Sequence, residues 1–348
     1  MRPFSLQLAG FLLTGILLVP QAALAATLHH LSGRTMGTTW QVRVASDADP
    51  DRLSAGIQAQ LDEVVAQMST WEPASDISRF NRAPAGELQG LPDAFFEVLD
   101  AALTLAADTG GAYDPTVGPL VNLWGFGPDG ARDAPPDDRA IAAVMARSGW
   151  RRLVLDRRTR TVVQPGGLYL DLSSIAKGYG VDRVAAYLDA TGSSAWLVEV
   201  GGELRARGRK PDGETWRIAI EQPAPDDRGD GAATGDLPQL SGVVLEPGDM
   251  AVATSGDYRH YFETADGRFS HTIDPRNGRP VSHGLASVTV LHPSCMQADA
   301  LATALSVLGP EAGYRYAVER GLAALFFVHA GDGFQRRTTP AFERHLLP

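Results

Sequence analysis

The chain has 348 residues, and its 44% hydrophobic and 21% charged content is that of a globular protein with a sizeable core. The formal net charge of −10 argues against a general binder of nucleic-acid phosphates. Cys295 is the only cysteine, which excludes a disulfide within the chain. We therefore predict a protein held together by its core, with Cys295 buried and inert.

The first residues have the pattern of a secretory signal peptide. Arg2 precedes the short apolar stretch Phe11–Val19, and Ala23–Ala25 supplies the small residues of a cleavage site. The apolar stretch is too short for a convincing membrane span. We expect removal of residues 1–25 to leave a periplasmic chain that begins at Ala26. No cysteine stands at that junction, so no lipid anchor is predicted; an uncleaved membrane anchor is the alternative, and association with the inner membrane stays open.

Hydrophobic spacing predicts four helices along the mature chain. The first starts at the cap Asp49 with Pro50 in its first turn, and the second runs from about Pro92 to Thr109. "DLSSIAKGYGVDRVAAYLDATG" is predicted to form a third helix that follows an apolar strand. The fourth is "SCMQADALATAL", in which the apolar residues recur at helical spacing.

Short alternating or apolar runs predict strands between these helices. They are "TTWQVRVA", "RLVLD", "TVVQ", "AWLVEV", "WRIAIEQ", "SGVVL", "MAVATSG", "SVTVLH" and "AALFFVHA". The stretch from Ala112 to Asp138 lacks periodicity and is predicted to be an ordered loop, and Pro223–Pro238 a flexible surface insertion. Helices mixed with hairpin-like strand pairs indicate an α+β or mixed α/β fold rather than a regular parallel βαβ series.

Asp299 and Thr303 are the first candidates for chemistry. They lie four residues apart in an otherwise apolar helical run, so their side chains share one face at a separation of about 5–6 Å. A carboxylate and a hydroxyl suit a hard cation, which prefers oxygen ligands. The alternative is the solvated face of an ordinary amphipathic helix.

The segment "DLSSIAKGYGVD" is the second candidate. Asp171 ends the predicted strand, Ser173 and Ser174 are predicted caps, and Lys177 lies in the first turns of the helix. Free backbone N–H groups at a helix start attract anions, and a lysine adds a point charge for phosphate. Asp171 would accept a hydrogen bond from a ribose hydroxyl or a base N–H. A capped helix with a surface lysine is the alternative.

Two further features can be interpreted in more than one way, and a third pattern can be dismissed. His271 precedes "DPRNG", a predicted tight turn, where a histidine is more often structural than catalytic. The aromatic residues Trp71, Tyr113 and Trp124 would either stack on a planar ring or fill the core. "GFGPDG" has the spacing of a dinucleotide-binding loop, but its internal proline and the poor helix start behind it argue against that function.

Taken together, these segments resemble the ApbE family, the FAD:protein FMN transferases. The matching stretches follow the family's order over nearly all of residues 26–348: "MGTTWQV", "MSTWEPASDISRFN", "GGAYDPTVGPLVNLWGFGP", "DLSSIAKGYGVD", "VEVGGELRARG", "ATSGDYRHYF", "HTIDPRNGRPV" and "ADALATAL". The resemblance implies one ApbE-like domain after the signal peptide. Its implied architecture is T-fold-like, with antiparallel-rich sheets flanked by helices.

The resemblance also implies a reaction. It implies that the enzyme uses Mg²⁺ and FAD, transfers the FMN moiety to a threonine hydroxyl of an acceptor protein, and releases AMP. The implied partners are FAD and exported flavoproteins, including subunits of membrane redox complexes. Two alternatives stay open: a metal-dependent FAD pyrophosphatase that yields FMN and AMP, and a protein that binds FAD without chemistry.

The family's functional residues carry over to this sequence motif by motif. The resemblance assigns metal binding to Asp299, Thr303 and a main-chain carbonyl, that of Ser174. It places His271 where the family has a histidine near the phosphates, and we expect proton transfer or transition-state positioning there. Because the acceptor threonine must lose a proton, Asp274 is the alternative proton acceptor. The implied FAD contacts are Met36, Trp71, Ala112, Tyr113, Asp114, Asp171, Lys177 and Ile273. Trp71 stands where many family members have tyrosine, so stacking should be preserved and a phenolic hydrogen bond lost.

Overall fold

The computed structural model describes residues 26–132, 134–223, 240–256, 261–264, 267–331 and 333–346. The predicted signal peptide lies outside the described residues, as does the predicted insertion apart from Pro223. The strands are β1 (Leu28–Thr35), β2 (Thr38–Ala45), β3 (Leu88–Gly90), β4 (Val154–Asp156), β5 (Thr161–Val163), β6 (Ala195–Val200), β7 (Glu203–Arg207), β8 (Ile218–Glu221), β9 (Leu240–Leu245), β10 (Ala251–Gly256), β11 (Tyr261–Thr264), β12 (Gly267–Ser270), β13 (Ile273–Asp274), β14 (Arg279–Pro280), β15 (Leu285–His292), β16 (Ala323–Ala330) and β17 (Gly333–Thr338). The helices are α1 (Pro50–Met68), α2 (Asp76–Arg82), α3 (Asp93–Asp108), α4 (Gly118–Leu123), α5 (Asp138–Met145), α6 (Ser173–Ala190), α7 (Cys295–Glu319) and α8 (Pro340–Glu343).

An eight-stranded sheet forms the centre of the fold, in the order β1-β2-β6-β7-β10-β15-β16-β17. Every neighbouring pair in it is antiparallel. A three-stranded sheet, β3-β5-β4, and the hairpins β8–β9, β11–β12 and β13–β14 complete the described strands. The predicted α+β class, with antiparallel sheets flanked by helices, is confirmed. Among the described helices, none combines the length and the apolar character needed to cross a membrane.

Helix α1 forms as its sequence predicts. The Asp49 carboxylate accepts a hydrogen bond from the backbone N–H of Asp51, and Pro50 occupies the first turn, where its missing N–H costs nothing. The buried residues of α1 recur at helical spacing: Leu53, Ile57, Leu61, Val64 and Met68. Most of this face joins α6 and strands β2 and β6 in one apolar cluster.

Helices α6 and α7 cross at close range because α6 carries a glycine at the contact. A Cβ on Gly178 would lie 2.3 Å from the carbonyl oxygen of Cys295 and 2.8 Å from Cβ of Asp299. Asp182 of α6 ties the helices together, since its carboxylate accepts hydrogen bonds from the backbone N–H groups of Cys295 and Met296. Those are free amides of the first turn of α7, where a negative charge is also favoured.

The apolar face predicted for α7 is confirmed, since its members are all buried: Met296, Ala300, Leu301, Ala304 and Leu305. Cys295 is buried as predicted, and burial raises the pKa of its thiol well above the usual value. A thiol in that state is a poor nucleophile. Helix α7 is kinked at Gly309, which has a φ of +80° and precedes Pro310.

The strand predicted before Asp171 is wrong. The backbone of Leu168 is bonded by the side chain of Gln164, and that of Leu170 by the side chain of Asn81. These side-chain amides take the place of a neighbouring strand, so the segment is extended without belonging to a sheet. The predicted serine caps of α6 are also wrong; Ser173 and Ser174 are its first two residues, and the Asp171 carboxylate accepts from the N–H of Ser173 at 2.8 Å.

The stretch from Ala112 to Asp138 is largely ordered and buried at its start, as predicted, but it contains the short helix α4. The indole N–H of Trp124 donates to the carbonyl of Gly278 at 2.9 Å, which fixes the β13–β14 turn against α4. "GFGPDG" directly follows this helix rather than a strand, so the dismissal of a dinucleotide-binding loop is confirmed.

Candidate active site

A cleft of about 590 Å³ opens between the β1–β2 turn, the C-terminal end of α1 and the start of α6. The residues that line it are Met36, Gly37, Val64, Val65, Met68, Ser69, Thr70, Trp71, Glu72, Ser173, Ala176 and Lys177. The cleft is mainly apolar, with a lysine at the helix start, a combination that suits a flat ring system carrying an anionic group. Three predicted FAD contacts, Met36, Trp71 and Lys177, therefore share one cavity.

Met36 projects from a tight turn between paired strands. Thr35 and Thr38 close the hairpin, and the two central residues Met36 and Gly37 have φ values of +49° and +73°. Glycine adopts such a conformation freely, whereas at methionine it costs about 1–3 kcal/mol. Met36 packs against α6, where a Cβ on Gly180 would lie 3.1 Å from the methionine Cε. The turn thus presents a large flexible side chain to the cleft.

Trp71 lies on the segment between α1 and α2, where it lines the lip of the cleft. Its side chain is 67% exposed, although a large aromatic side chain is normally mostly buried. Core packing, one of the two explanations offered by the sequence, therefore does not apply to Trp71. It does apply to Trp124, which is buried and bonded to Gly278.

Lys177 is the centre of a charged cluster at the inner end of the cleft. Its Nζ lies 2.8 Å from Oε1 of Glu203 and 3.7 Å from Oδ1 of Asp299. Both carboxylates are buried, whereas the side chain of Lys177 keeps 29% of its exposure. Burial favours the neutral amine, but the charges of Asp299 and Glu203 outweigh it and raise the pKa of Lys177. Lys177 is therefore a permanent cation beside the cleft and is not the surface lysine that the sequence left open.

Asp299 is held by α6 rather than by its own helix. Its Oδ2 accepts a hydrogen bond from the backbone N–H of Gly178 at 3.0 Å. In an α-helix the same N–H donates to the carbonyl four residues earlier, which is that of Ser174. The Asp299 carboxylate and the Ser174 carbonyl therefore flank one amide. Thr303, one turn after Asp299 on α7, is half-buried.

This arrangement fits the predicted magnesium site by its chemistry. The three oxygens are a carboxylate, a hydroxyl and a main-chain carbonyl, which are the ligand types of a hard cation. Oδ1 of Asp299 has Lys177 only at 3.7 Å, a distance too long for a good hydrogen bond. Among the described residues there is no group of three or more His, Cys, Asp or Glu side chains that could hold a metal ion. The predicted ligand set has a single carboxylate and is consistent with that finding.

The "AYD" segment contacts the start of α6 through Tyr113. The Ser174 hydroxyl donates to the phenolic oxygen of Tyr113 at 3.0 Å, and burial raises the pKa of Tyr113, with Asp299 and Asp171 adding to the effect. Tyr113 is thus a neutral phenol next to the proposed metal ligands. Ala112 is buried beside it.

Asp114 holds its own loop together. Its carboxylate accepts hydrogen bonds from the N–H and the hydroxyl of Thr116, at 2.8 and 2.7 Å, and from the N–H of Trp150 at 3.1 Å. Burial raises the pKa of Asp114, and the hydrogen bonds partly oppose that rise. With these bonds in place, Asp114 shapes the loop that carries Tyr113.

Asp171 links the "AYD" and "DLSS" segments through its backbone, whose N–H donates to the carbonyl of Pro115 at 2.8 Å. One carboxylate oxygen accepts from Ser173, as described above. Five predicted residues, Ala112, Tyr113, Asp114, Asp171 and Ser174, thus belong to one connected set of loops at the start of α6.

His271 and Ile273 lie on a different lobe, around the β13–β14 hairpin. The imidazole of His271 meets the ring of Phe126 edge-on, with centroids 6.3 Å apart. Ile273 is buried in an apolar cluster with Leu120 and Trp124. Helix α4, which follows the "AYD" segment, therefore connects this lobe to the Tyr113 side of the site.

Asp274 is engaged by its neighbour. Its two carboxylate oxygens each accept a hydrogen bond at 2.8 Å from the guanidinium of Arg276, and one also accepts from the backbone N–H of that residue. This bidentate pair stabilises the predicted "DPRNG" turn. A carboxylate so occupied is a poor proton acceptor, so the structure disfavours Asp274 in that role.

Sequence reasoning missed Glu203. It lies in "VGGELRARG", a segment quoted for its resemblance without any residue being selected, and it follows the β6–β7 turn at Gly201 and Gly202. The only signal in the sequence was a glutamate in the stretch between the predicted strands "AWLVEV" and "WRIAIEQ". Burial raises the pKa of Glu203 to about 7, against the opposing charge of Lys177. The packing of α6 against β7 brings Lys177 and Glu203 together, which no local pattern reveals.

Comparison with known proteins agrees with this architecture. The profile of the ApbE family matches residues 36–326. The FAD:protein FMN transferase of Vibrio cholerae is 43% identical over 337 residues, covering 96% of this chain and 97% of the relative. A solved structure of the flavin transferase ApbE from Vibrio cholerae has a TM-score of 0.82 at 42% identity, covering 92% of this chain and 100% of that chain. The apo flavinyl transferase ApbE of Pseudomonas stutzeri has a TM-score of 0.83 at 41% identity, covering 92% and 98%.

The mixed α+β fold and a cleft ending in a lysine–carboxylate cluster define a candidate nucleotide-handling enzyme. The comparisons identify the family more specifically than the fold does. The family profile covers most of the chain, and a 43% identical relative aligns over nearly its whole length. The chain belongs to the ApbE family.

Proposed function

We propose that this protein is an FAD:protein FMN transferase that moves the FMN moiety of FAD onto a threonine hydroxyl of an acceptor protein and releases AMP. Membership of the ApbE family and the names of its relatives support the transferase class. The observation that carries the proposal is the junction of Lys177 and Asp299 at the inner end of a mainly apolar cleft. A dinucleotide with a flat ring and a charged pyrophosphate matches that cleft.

The chemistry requires one bond exchange at phosphorus. The threonine oxygen forms a bond to the phosphorus on the FMN side of the pyrophosphate, and the bond from that phosphorus to the bridging oxygen breaks. AMP leaves with that oxygen, and the flavin stays attached through a phosphodiester. Catalysis of such a transfer depends mainly on positioning and on stabilising negative charge. Lys177 supplies a fixed positive charge for this purpose.

The amides at the start of α6 add a second source of positive potential next to Lys177. The predicted ligands Asp299, Thr303 and the Ser174 carbonyl would hold Mg²⁺, which when bound would neutralise charge on the pyrophosphate oxygens. In this scheme Trp71 stacks on the flavin ring from the lip of the cleft, and Met36 packs against it. These assignments use hard oxygen donors for the cation and apolar surfaces for the ring.

A proton must leave the threonine hydroxyl during the attack. His271 is proposed to accept it, because imidazole titrates near neutral pH and Asp274 is engaged by Arg276. The other predicted FAD contacts, Ala112, Tyr113, Asp114, Asp171 and Ile273, would form the side of the site that includes α4 and the loop before α6. The neutral phenol of Tyr113 would offer the substrate a hydrogen bond without adding negative charge.

We also propose that the mature protein is exported to the periplasm, with acceptors among exported flavoproteins and the subunits of membrane redox complexes. The signal-peptide pattern of residues 1–25 supports export. Amino-terminal sequencing of the protein purified from the periplasmic fraction should find Ala26 first. A chain that retains residues 1–25 in the membrane fraction would contradict cleavage.

The function is tested by incubating the mature protein with FAD, Mg²⁺ and an acceptor that carries one accessible threonine. Mass spectrometry should show the acceptor heavier by one FMN group, with AMP formed in equal amount, and no gain with a Thr→Val acceptor. Release of FMN and AMP at the same rate without acceptor would indicate a pyrophosphatase instead. Tight binding of unaltered FAD with neither reaction would indicate a binding protein.

A further inference from the structure

We propose that Glu203 is a positioning residue that holds the ammonium of Lys177, so that the carboxylate of Asp299 stays available for a divalent cation. The inference rests on the proposed function, because it takes Asp299 to be a metal ligand. It concerns a residue whose contact with the cleft runs through Lys177. Three observations support it. Lys177 lies closer to Glu203 than to Asp299, the backbone of β7 fixes the position of Glu203, and one carboxylate oxygen of Glu203 has no hydrogen-bond partner among the described residues.

The two carboxylates around Lys177 are not equivalent. Glu203 lies at 2.8 Å, a charge-assisted hydrogen bond, whereas Asp299 lies at 3.7 Å, an ionic contact without a good hydrogen bond. Asp299 is held instead by the N–H of Gly178. Lys177 is therefore bonded to Glu203 and only oriented toward Asp299, so within the described part of the chain Oδ1 of Asp299 has no close donor.

The position of Glu203 is fixed by a strand of the central sheet. It is the first residue of β7 and pairs with Val200 across the β6–β7 hairpin, and β7 continues into the central sheet beside β10. At Gly201, whose φ is +60°, a Cβ would lie 2.8 Å from the Thr38 side chain and 3.5 Å from Cδ of Lys177. The turn thus lies directly against the stem of the lysine. Its backbone leaves Glu203 little freedom to move away.

The pair is poorly explained by stability alone. A buried ion pair is on average no more stabilising than apolar residues of the same size, because both charges lose their hydration. Oε2 of Glu203 is buried and has no hydrogen-bond partner among the described residues, which makes the arrangement more costly still. An unsatisfied carboxylate oxygen of this kind calls for a functional explanation.

The charges give that explanation. A divalent cation on Asp299 would lie close to the ammonium of Lys177, and like charges repel strongly where water is excluded. Glu203 offsets this repulsion by supplying the ammonium with a closer negative partner than Asp299. Without Glu203, the closest carboxylate left to Lys177 is Asp299, and their ion pair would compete with the cation for the same oxygen.

The test is a direct measurement of cation binding, which does not depend on turnover. Binding of Mn²⁺ is followed by electron paramagnetic resonance, with Mg²⁺ as competitor, in the presence and absence of FAD. The Glu203→Gln variant keeps the size of the side chain and removes its charge. We expect its affinity for Mn²⁺ to fall roughly tenfold, a change typical of losing a residue that orients the groups around a metal ion.

A double variant separates positioning from a general charge effect. In Lys177→Met protein no ammonium competes for Asp299, so adding Glu203→Gln should cause no further loss of Mn²⁺ affinity. Glu97→Gln is the matched control, because Glu97 also accepts a hydrogen bond from α6, from Tyr179, but lies outside the cluster. Its Mn²⁺ affinity should equal that of the wild type.

Each outcome decides between separate claims. If the wild-type protein binds no Mn²⁺ even with FAD, the proposed metal site itself fails. If the wild type binds Mn²⁺ and folded Glu203→Gln binds it equally well, the positioning role is overturned. Should Glu203→Gln not fold, Glu203→Asp takes its place, since the shorter side chain breaks the 2.8 Å contact and should also weaken Mn²⁺ binding. Unchanged affinity in that folded variant would likewise overturn the role.

Discussion

The α6–α7 junction, which reaches the cleft through Lys177, and the Trp71 lip of the same cleft are built in opposite ways. At the junction, Lys177 and Asp299 are fixed by contacts from α6, α7 and β7. At the lip, Trp71 is 67% exposed, and its place is set mainly by the backbone that carries it. A charge can be fixed before the substrate arrives only where several elements enclose it. A stacking residue gains its contacts from the substrate itself, so changes at the junction should cost more.

The largest effect is expected at Asp299. Asp299→Asn keeps the hydrogen-bond acceptor for Gly178 and removes the charge that would bind a cation. We expect FMN transfer to fall by roughly 10²–10³-fold, as when one charge-stabilising group is removed from an active site, with the circular dichroism spectrum unchanged. Glu311→Gln, on the same helix but paired with Arg337, is the control and should retain full activity. Normal Mg²⁺-dependent transfer by Asp299→Asn would show that the reaction does not need the fixed charge of Asp299.

The second effect tests the close contact of the two helices. Gly178→Ala places a Cβ 2.3 Å from the carbonyl oxygen of Cys295, so α6 and α7 must separate. We expect the free energy of unfolding to fall by up to about 3 kcal/mol, with a large loss of transfer. Gly90→Ala is the matched control, because a Cβ there meets no atom within 4 Å. Equal stability of both variants in urea unfolding would show that the junction tolerates displacement.

The third effect is a pH-dependent loss of stability in Lys177→Met. Removing the ammonium leaves Glu203 without its partner, at a cost of about 2 kcal/mol, less than for a fully buried pair because Lys177 is partly exposed. With Lys177 present, burial raises the pKa of Glu203 to about 7, and removing the ammonium, whose charge lowers this pKa, raises it further. Above about pH 7 the wild type therefore holds an ionised and paired Glu203, whereas the folded variant still binds a proton that its unfolded chain releases. The destabilisation relative to the wild type should therefore grow as pH rises through 7.

Urea unfolding of Lys177→Met at pH 5.5 and pH 8 measures this difference. Adding Glu203→Gln should remove most of it, because the uncharged amide has nothing to titrate. A pH-independent loss would mean that Glu203 is not the group left unpaired.

The smallest effect is expected at the lip. Trp71→Ala should raise the dissociation constant for FAD about tenfold, the range typical of one lost stacking contact, and leave the free energy of unfolding unchanged because Trp71 is exposed. Trp71→Tyr should bind FAD nearly as well as the wild type. Quenching of flavin fluorescence measures both constants. A loss of stability in Trp71→Ala would show that the residue belongs to the core after all.

Much of the fold could be predicted because it depends on local patterns. The cap of α1, the apolar face of α7 and the strands of the central sheet with clear alternation all have short-range signals. The extended segment before Asp171 could not be recognised as irregular, because its backbone is satisfied by side chains distant in sequence, Asn81 and Gln164. Short elements such as α4 were missed for a similar reason: tertiary contacts, not propensity, hold them.

The candidate site divides in the same manner. Asp299 and Lys177 were found because each lies in a recognisable helix segment, and family resemblance added roles for the others. Glu203 could not be found, because its partner Lys177 is 26 positions away along the chain and contacts it only where α6 packs on the sheet. The sequence alone could not exclude Asp274 as a proton acceptor, because its bidentate pair with Arg276 depends on the shape of the turn.

Whether a cation is held where α6 meets α7 can be seen by anomalous diffraction from crystals grown with FAD and Mn²⁺. We expect an anomalous peak within about 2.5 Å of a carboxylate oxygen of Asp299, the hydroxyl of Thr303 and the carbonyl of Ser174, next to the pyrophosphate. A bound FAD with its metal coordinated elsewhere, and Asp299 bonded only to Gly178 and Lys177, would contradict it.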